Sequence, residues 1–263
     1  MLTDHFAPIC DRSLAPDVIP VEDPEPEAEI AGSERTVLGL TELLLKNPLL
    51  LDRLARDENR QPLLIPSFLA VGLASFSLFA VALVLTLSAA PLVSLPEPLA
   101  ARWSADRNGS AVALWLAYAL GFTLTTGVCL PSFYFYGLLA GVRVSWLQVT
   151  AQIMKGQAST AVMLMGILPI YLAAALGAVV FGAPPHVSRL VLYIGLGLPF
   201  VAGLWGVRSI HGGFLGLADT LPQERRCRRE CWLRRLTAAC SACYTAVCPV
   251  MIYTLWRYFA EQL

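Results

Sequence analysis

The pattern of charged and apolar positions divides the chain after residue 62 into five long segments that contain no Asp, Glu, Lys or Arg. These segments are 63–96, 108–142, 156–188, 190–207 and 236–256. A run of about 20 apolar residues crosses a bilayer as a helix, because lipid cannot satisfy exposed backbone groups. The pattern therefore predicts an all-α, multi-pass transmembrane helical bundle over 62–263 with about five spans. We expect the spans near 66–90, 111–130, 158–181, 190–207 and 236–256.

Lys and Arg residues near the ends of these spans predict the orientation, because such residues are retained on the cytoplasmic side. One side carries thirteen of them: Lys46, Arg53, Arg56, Arg60, Arg143, Lys155, Arg208, Arg225, Arg226, Arg228, Arg229, Arg234 and Arg235. The other side carries four: Arg102, Arg107, Arg189 and Arg257. The excess places the amino terminus and a basic loop over 208–235 in the cytoplasm, and an odd number of spans places Leu263 outside.

Two segments of different composition precede the first span. Residues 1–34 hold nine acidic residues, one Arg and five prolines, a composition too polar to bury a core, and they predict a disordered acidic tail. Residues 35–61 are rich in leucine with interspersed charges, which indicates an amphipathic helix with Ser33 as N-cap, broken or restarted at Pro48. We expect this helix to lie in the cytoplasmic interface beside the first span, with packing on a partner subunit as the alternative.

The five predicted spans offer no general base for catalysis and no charged relay for ion transport. The three histidines, His5, His186 and His211, fall outside the middle of any span, and His211 with Asp219 is the only loop pair worth naming. Charged residues make up 14% of the chain, against roughly 25% in soluble domains. We therefore predict a protein that is not an enzyme, uses no cofactor and does not bind nucleic acid.

The stretch from Arg225 to Leu236 and the cysteines beside it carry two binding hypotheses. Six arginines, Arg225, Arg226, Arg228, Arg229, Arg234 and Arg235, predict docking on anionic lipid head groups, on an acidic protein, or on the chain's own acidic tail. Four cysteines, Cys227, Cys231, Cys240 and Cys243, have the spacing C-x3-C-x8-C-x2-C, which is reminiscent of a zinc site. Because Cys240 and Cys243 fall inside the last predicted span, we favour apolar packing for these residues over metal binding.

Small and hydroxylated residues in the second and fourth predicted spans indicate close helix packing, because they let backbones approach and can form hydrogen bonds between helices. The candidate packing residues are Gly121, Thr123, Thr126, Gly195 and Gly203. The alternative for the glycine-rich fourth span is a flexible site around Pro199.

The order of the segments resembles a known family. The amphipathic segment LTELLLKNPLLLDRLARDENRQPLLIP precedes the first span, GLLAGVRVSWLQVTAQIMKG follows the second, and GILPIY and GLWGVRSIHGGF occur in the third and fourth. This arrangement is similar to the bacterial branch of the Yip-domain (Yip/YIF) five-span integral membrane proteins, over roughly 37–257. The resemblance implies a non-enzymatic protein of the bacterial inner membrane. The DLYGP-type motif of the eukaryotic branch is not in the amino-terminal region, so a role in vesicle traffic is not implied.

Two functional hypotheses follow from these observations. The first is an accessory or scaffold component of a membrane assembly, or a membrane-organising protein, whose partners are the lipid bilayer and other membrane proteins. The second is a transporter or channel for a neutral or lipid-like solute, which requires a cavity lined by Thr123, Thr126 and Gly203. A lipid-modifying enzyme of the interface would need a catalytic group that the sequence does not supply.

Overall fold

The structure, a computed structural model, describes residues 37–57, 60–89, 103, 106–139, 145–218 and 226–262, and every regular element in these ranges is a helix. Two short helices are followed by five long ones: α1 (Val37–Lys46), α2 (Pro48–Arg56), α3 (Gln61–Ala89), α4 (Arg107–Leu139), α5 (Trp146–Val180), α6 (Pro185–Ala218) and α7 (Arg226–Gln262). The predicted all-α fold is confirmed. The predicted acidic tail, 1–34, lies outside the described residues.

Four of the long helices, α3, α4, α5 and α6, are long and apolar enough to cross a membrane. The fifth predicted span, 236–256, lies in α7, where several side chains fall outside the described part of the chain. The structure therefore confirms a bundle of the multi-pass membrane type, whereas a count of five spans stays a prediction.

The long helices extend well beyond the spans that the sequence predicts. The fourth span was predicted over 190–207, but α6 has 34 residues, or about 51 Å at 1.5 Å per residue. The second span was predicted over 111–130, whereas α4 continues through Pro131 to Leu139. Much of the predicted loop 208–235 is helical as well, since α6 reaches Ala218 and α7 begins at Arg226.

Proline does not end these helices, although each of the five contains one inside it: Pro66, Pro131, Pro169, Pro199 and Pro249. Neighbouring helices and hydroxyl side chains can satisfy the carbonyl that an internal proline leaves free, so the element persists in a membrane bundle. The α5–α6 turn is different. There Gly182 adopts a φ of 60°, and the helix restarts at Pro185.

The five long helices form a closed ring in the order α3, α5, α6, α7, α4. The helix pairs α5–α6 and α4–α7 are antiparallel, as the contacts of Gly195 with Tyr171 and of Gly206 with Gly156 show for the first pair. Within the ring, α6 and α7 make the least extensive contact of any neighbouring pair. An aromatic cluster of Phe76, Phe79, Tyr118, Phe122 and Tyr171 is buried at its centre.

Helices α1 and α2 form a hairpin that packs on α3 and α5 at one end of the ring, which we term the hairpin end. Pro48 starts α2, and Asn47 is its N-cap, with Oδ1 accepting a hydrogen bond from the Leu50 backbone N–H at 3.4 Å. Leu40 and Leu51 are fully buried in a cluster with Phe68 of α3. The amphipathic segment therefore lies beside the first long helix, as predicted, and is divided into two helices at Pro48.

Candidate functional site

A cavity of about 110 Å³ lies inside the ring, and all five long helices contribute to its walls. Helix α3 contributes one residue, Phe76, and the other four helices each contribute three or more. The described lining contains no carboxylate, amine, guanidinium, imidazole or thiol group. The cavity is therefore electrically neutral, and its chemistry is that of hydroxyls, one amide and apolar surface.

One wall of the cavity is aromatic. The rings of Phe76 and Phe122 stack with centroids 4.7 Å apart and an interplanar angle of 13°. Phe200 of α6 stands against Phe122 with centroids 6.4 Å apart. Tyr118, which packs edge-on to Phe122, donates a hydrogen bond to the Leu196 carbonyl at 3.3 Å and so joins α4 to α6. These contacts fix the rings, so the wall is preformed.

A second wall is made where α5 and α6 approach closely at Gly156 and Gly206. A Cβ added to Gly206 would lie 2.0 Å from the Thr160 Oγ1 atom and 2.6 Å from the Gly156 carbonyl oxygen. Gly203, one turn away on α6, also lines the cavity, but a Cβ there would meet nothing within 4 Å. The two glycines have different roles, since Gly206 permits helix contact and Gly203 leaves open space.

Four hydroxyl groups in the cavity donate their protons to backbone carbonyls. Thr126 Oγ1 and the Tyr244 hydroxyl both donate to the Phe122 carbonyl, at 3.0 and 3.2 Å. Thr160 Oγ1 donates to the Gly156 carbonyl at 3.1 Å, and Thr245 Oγ1 to the Ser241 carbonyl at 2.8 Å. Because each hydroxyl has one proton, these groups present oxygen lone pairs to a ligand.

Gln157 is the one amide side chain in the lining, and it is 8% exposed. Its Nε2 atom donates to Thr123 Oγ1 at 3.5 Å. Its Oε1 atom is buried and has no hydrogen-bond partner. A buried acceptor without a partner carries a desolvation cost, and Gln157 Oε1 bears that cost in this structure.

The cavity reaches the outer surface of the ring between α6 and α7. Two of its lining residues are exposed there, Leu204 of α6 with 64% of its surface accessible and Thr245 of α7. The same two helices form the least extensive contact in the ring. The cavity therefore opens at the side of the bundle, between α6 and α7.

A buried polar cluster lies near the cavity at the hairpin end. Lys155 of α5 is 2% exposed, and its Nζ atom forms an ion pair with the Asp52 carboxylate of α2. Gln61 is fully buried and donates from Nε2 to the Ala55 carbonyl at 3.2 Å. The sequence interpretation missed this role of Lys155, which it took for a solvated flanking residue. The available signal was a single Lys inside the uncharged, helix-compatible stretch VTAQIMKGQAST.

The predicted packing residues have different positions in the structure. A Cβ on Gly121 would lie 2.6 Å from Ile252 Cγ1, and one on Gly195 would lie 2.3 Å from the Tyr171 hydroxyl, so both stand at close helix contacts. Thr126 and Gly203 line the cavity. Thr123 does not line it, but its Oγ1 atom accepts a hydrogen bond from Gln157, which does. Gly203, expected to pack against a helix, has open space instead.

The arginine and cysteine hypotheses fall mostly on side chains that the structure does not describe. This holds for Arg225, Arg226, Arg228, Arg229, Arg234, Cys227, Cys231 and Cys240. Arg235 and Cys243 are exposed. Among the described residues there is no group of three His, Cys, Asp or Glu side chains that could hold a metal. Asp219, the suggested partner of His211, also lies outside the described ranges.

The Tyr244 hydroxyl joins α7 to α4, and a substitution tests that contact. We expect Tyr244→Phe to lower stability by about 0.6 kcal/mol, the average for a hydrogen bond between membrane helices. Tyr253→Phe, at an exposed tyrosine of the same helix, should leave the unfolding temperature unchanged. Thermal unfolding of both purified variants measures the difference. Equal unfolding temperatures would show that the contact to Phe122 contributes nothing.

No family model, no curated protein and no solved structure matches this chain. The resemblance to the Yip-domain family therefore stays a prediction, and functional inference depends on the geometry of the cavity.

Proposed function

We propose that this protein binds a neutral, lipid-like solute in the central cavity and moves it across or along the membrane. The observation that supports the proposal is an uncharged cavity to which all five long helices contribute. A charged solute in such a site would lack a compensating group, and an isolated charge within a membrane is costly. A neutral molecule with a large apolar part meets no such cost.

The lateral mouth supports the same proposal. A solute dissolved in the bilayer could reach the cavity between α6 and α7 without first entering water. The aromatic wall of Phe76, Phe122 and Phe200 would then replace lipid around its apolar part. A preformed, mostly apolar pocket with a few polar groups is the usual form of a small-molecule site.

Filling the open space at Gly203 tests the proposal. We expect wild-type protein, purified in a gentle detergent, to retain a neutral lipid-like molecule that native mass spectrometry detects as a fixed mass increment. Gly203→Leu should abolish the increment, because the new side chain would occupy the cavity. Gly197→Leu is the matched control, since Gly197 also has open space around a Cβ but does not line the cavity. The proposal fails if the increment is absent from wild type or unaffected by Gly203→Leu.

We also propose the topology that the charge distribution predicts, with the hairpin end in the cytoplasm of a bacterium and the protein in its inner membrane. Lys46, Arg53, Arg56 and Arg60 flank α3 at that end, which supports this orientation. An alkaline phosphatase fusion after Leu263 should be active, because the enzyme requires export from the cytoplasm. An inactive but stable fusion would contradict the topology.

An assembly role is the second candidate, and one observation favours it. Leu38 and Leu45 of α1 are 83% and 68% exposed on a helix outside the ring. They would be covered either by the membrane interface or by a partner protein. We expect a partner, if this role holds, to co-purify with the tagged protein in fixed ratio and to be lost in a Leu38→Ser, Leu45→Ser variant. A fixed ratio that survives the substitution would exclude this surface.

A further inference from the structure

Two thiols from different helices meet where α4 packs on α7. The thiols of Cys129 on α4 and Cys243 on α7 are hydrogen-bonded to each other, and we call them the thiol pair. Neither cysteine is in a disulfide in this structure. We propose that the thiol pair is redox-active: hydrogen peroxide oxidises it to a disulfide between α4 and α7, and a small thiol reduces it again.

The packing of α4 on α7 places the thiol pair at a close contact between helices. The two backbones approach closely at Gly121, where an added Cβ would lie 3.4 Å from the Ile252 Cα atom. One helical turn further along α4, the Thr125 hydroxyl is hydrogen-bonded to the Cys248 thiol. The thiol pair follows after one more turn. A disulfide requires Cα atoms about 4.4–6.8 Å apart, so it can join two helices only where they pack closely, as these two do.

Hydrogen bonding distinguishes Cys243 from Cys248 as the partner of Cys129. All three are free cysteines of the same helix pair. The Cys248 thiol is fully buried and is bonded to the Thr125 hydroxyl, which cannot form a disulfide. The Cys129 thiol is bonded to the Cys243 thiol, so the two sulfur atoms that must react are already in contact.

The two members of the thiol pair differ in exposure, which sets the order of the reaction. Cys243 is exposed, whereas Cys129 is 7% exposed. An oxidant therefore meets Cys243 first, while Cys129 is held beside it as the resolving thiol. An accessible cysteine next to a resolving cysteine is the usual arrangement of a redox-sensing pair.

The oxidation takes two steps. The Cys243 thiolate attacks one oxygen of hydrogen peroxide and the O–O bond breaks, which gives a sulfenic acid and, with the proton that the thiol released, water. The Cys129 sulfur then attacks the Cys243 sulfur, the S–O bond breaks, and the hydroxide leaves with the Cys129 proton as a second water. Each sulfur loses one electron, and each peroxide oxygen gains one. Thiol–disulfide exchange with a small thiol restores the pair.

The disulfide would hold α7 on α4 at the cavity wall. Tyr244, which lines the cavity, directly follows Cys243 in the chain. The new bond would close a loop that contains all of α5 and α6. Cross-links that close long loops constrain the unfolded chain and so stabilise the folded one. We therefore expect the oxidised protein to unfold at a higher temperature than the reduced protein.

Mass spectrometry of the full-length protein in nanodiscs tests the proposal. The protein is treated with hydrogen peroxide and then unfolded in N-ethylmaleimide, which labels every remaining thiol. Peptides are analysed without reduction. We expect a cross-linked peptide that contains Cys129 and Cys243, no maleimide on either residue, and a raised unfolding temperature. Dithiothreitol, added before the unfolding step, should restore maleimide labelling of both residues and the original unfolding temperature.

Two serine variants locate the reaction. Cys129→Ser removes the resolving thiol, so the cross-link and the rise in unfolding temperature should disappear, and the sulfenic acid left on Cys243 should react with dimedone. Cys248→Ser is the matched control, because Cys248 is a free cysteine of the same interface whose hydrogen-bond partner is a hydroxyl group. It should retain the cross-link and the rise in unfolding temperature.

Three results would overturn the proposal. The first is full maleimide labelling of Cys129 and Cys243 after treatment with hydrogen peroxide. The second is a cross-link from either residue to a different cysteine. The third is a rise in unfolding temperature that persists in Cys129→Ser. These readouts involve no cavity ligand, so their failure and the failure of the proposed function are distinguishable.

Discussion

Asp52→Asn should release the α1–α2 hairpin from the bundle. The substitution keeps the shape of the side chain but leaves the Lys155 ammonium, which is 2% exposed, without its carboxylate partner. Removing one member of a buried ion pair costs about 3–5 kcal/mol, because the remaining charge is uncompensated. Lys155 would regain water if the hairpin lifted from α5. Hydrogen exchange of the backbone amides in α1 and α2 should therefore accelerate, and the unfolding temperature should fall.

Two further variants isolate the charge effect. Asp52→Leu combined with Lys155→Met removes both charges and should restore most of the lost protection, because apolar residues of similar volume can replace a buried pair. Glu42→Gln breaks an exposed ion pair to Lys46 on α1 and should leave exchange unchanged. Equal exchange in Asp52→Asn and wild type would mean that the ion pair does not hold the hairpin on the bundle.

The sequence predicts the long helices well because their signal is local. The absence of charge over twenty or more residues marks a segment that lipid can solvate, and four described helices follow that pattern. Helix ends are predicted less well. The second span was predicted to end at residue 130, yet α4 continues through Pro131 to Leu139. A helix can pass an internal proline when neighbouring groups satisfy the carbonyl that the proline leaves free, and the sequence does not identify those neighbours.

The ion pair of Lys155 could not be predicted from the residues that flank it in the sequence. Its partner, Asp52, is 103 residues away in the chain. Counting Lys and Arg near span ends treats every such residue as solvated. Among the counted side chains that the structure describes, this holds for all except Lys155, which faces a docked helix. An ion pair of this kind becomes visible only when the hairpin is placed against α5.

The candidate site was predicted in part. Thr126 and Gly203 were selected from the second and fourth spans and do line one cavity, whereas Gln157 and Tyr244 were not selected. They lie in α5 and α7, in which no glycine or threonine was selected from the sequence. Their role depends on the ring order, which brings α5 and α7 to the cavity together with α4 and α6. Neighbouring helices also determine the different surroundings of Gly203 and Gly206, which belong to one glycine-rich run in the sequence of α6.

Gly206→Ala should destabilise the bundle, whereas Gly203→Ala should not. Both substitutions add one methyl group to α6 and bring the same gain in helix propensity, about 0.8–1.0 kcal/mol. At position 206 the methyl carbon would stand 2.6 Å from the Gly156 carbonyl oxygen, a backbone atom that can move only if α5 and α6 separate. Overpacking of this kind costs about 1–3 kcal/mol. The difference between the two unfolding temperatures therefore measures the helix contact alone.

A third variant shows which neighbour resists the added methyl group. Thr160→Ala combined with Gly206→Ala removes the hydroxyl that would lie 2.0 Å from the new carbon but keeps the Gly156 carbonyl in place. We expect partial recovery of the unfolding temperature, because the side-chain clash is relieved and the backbone clash remains. Full recovery would identify Thr160 as the sole obstacle. If Gly206→Ala and Gly203→Ala unfold at the same temperature, α5 and α6 are not held together by a close backbone approach, and the glycine wall of the cavity is not rigid.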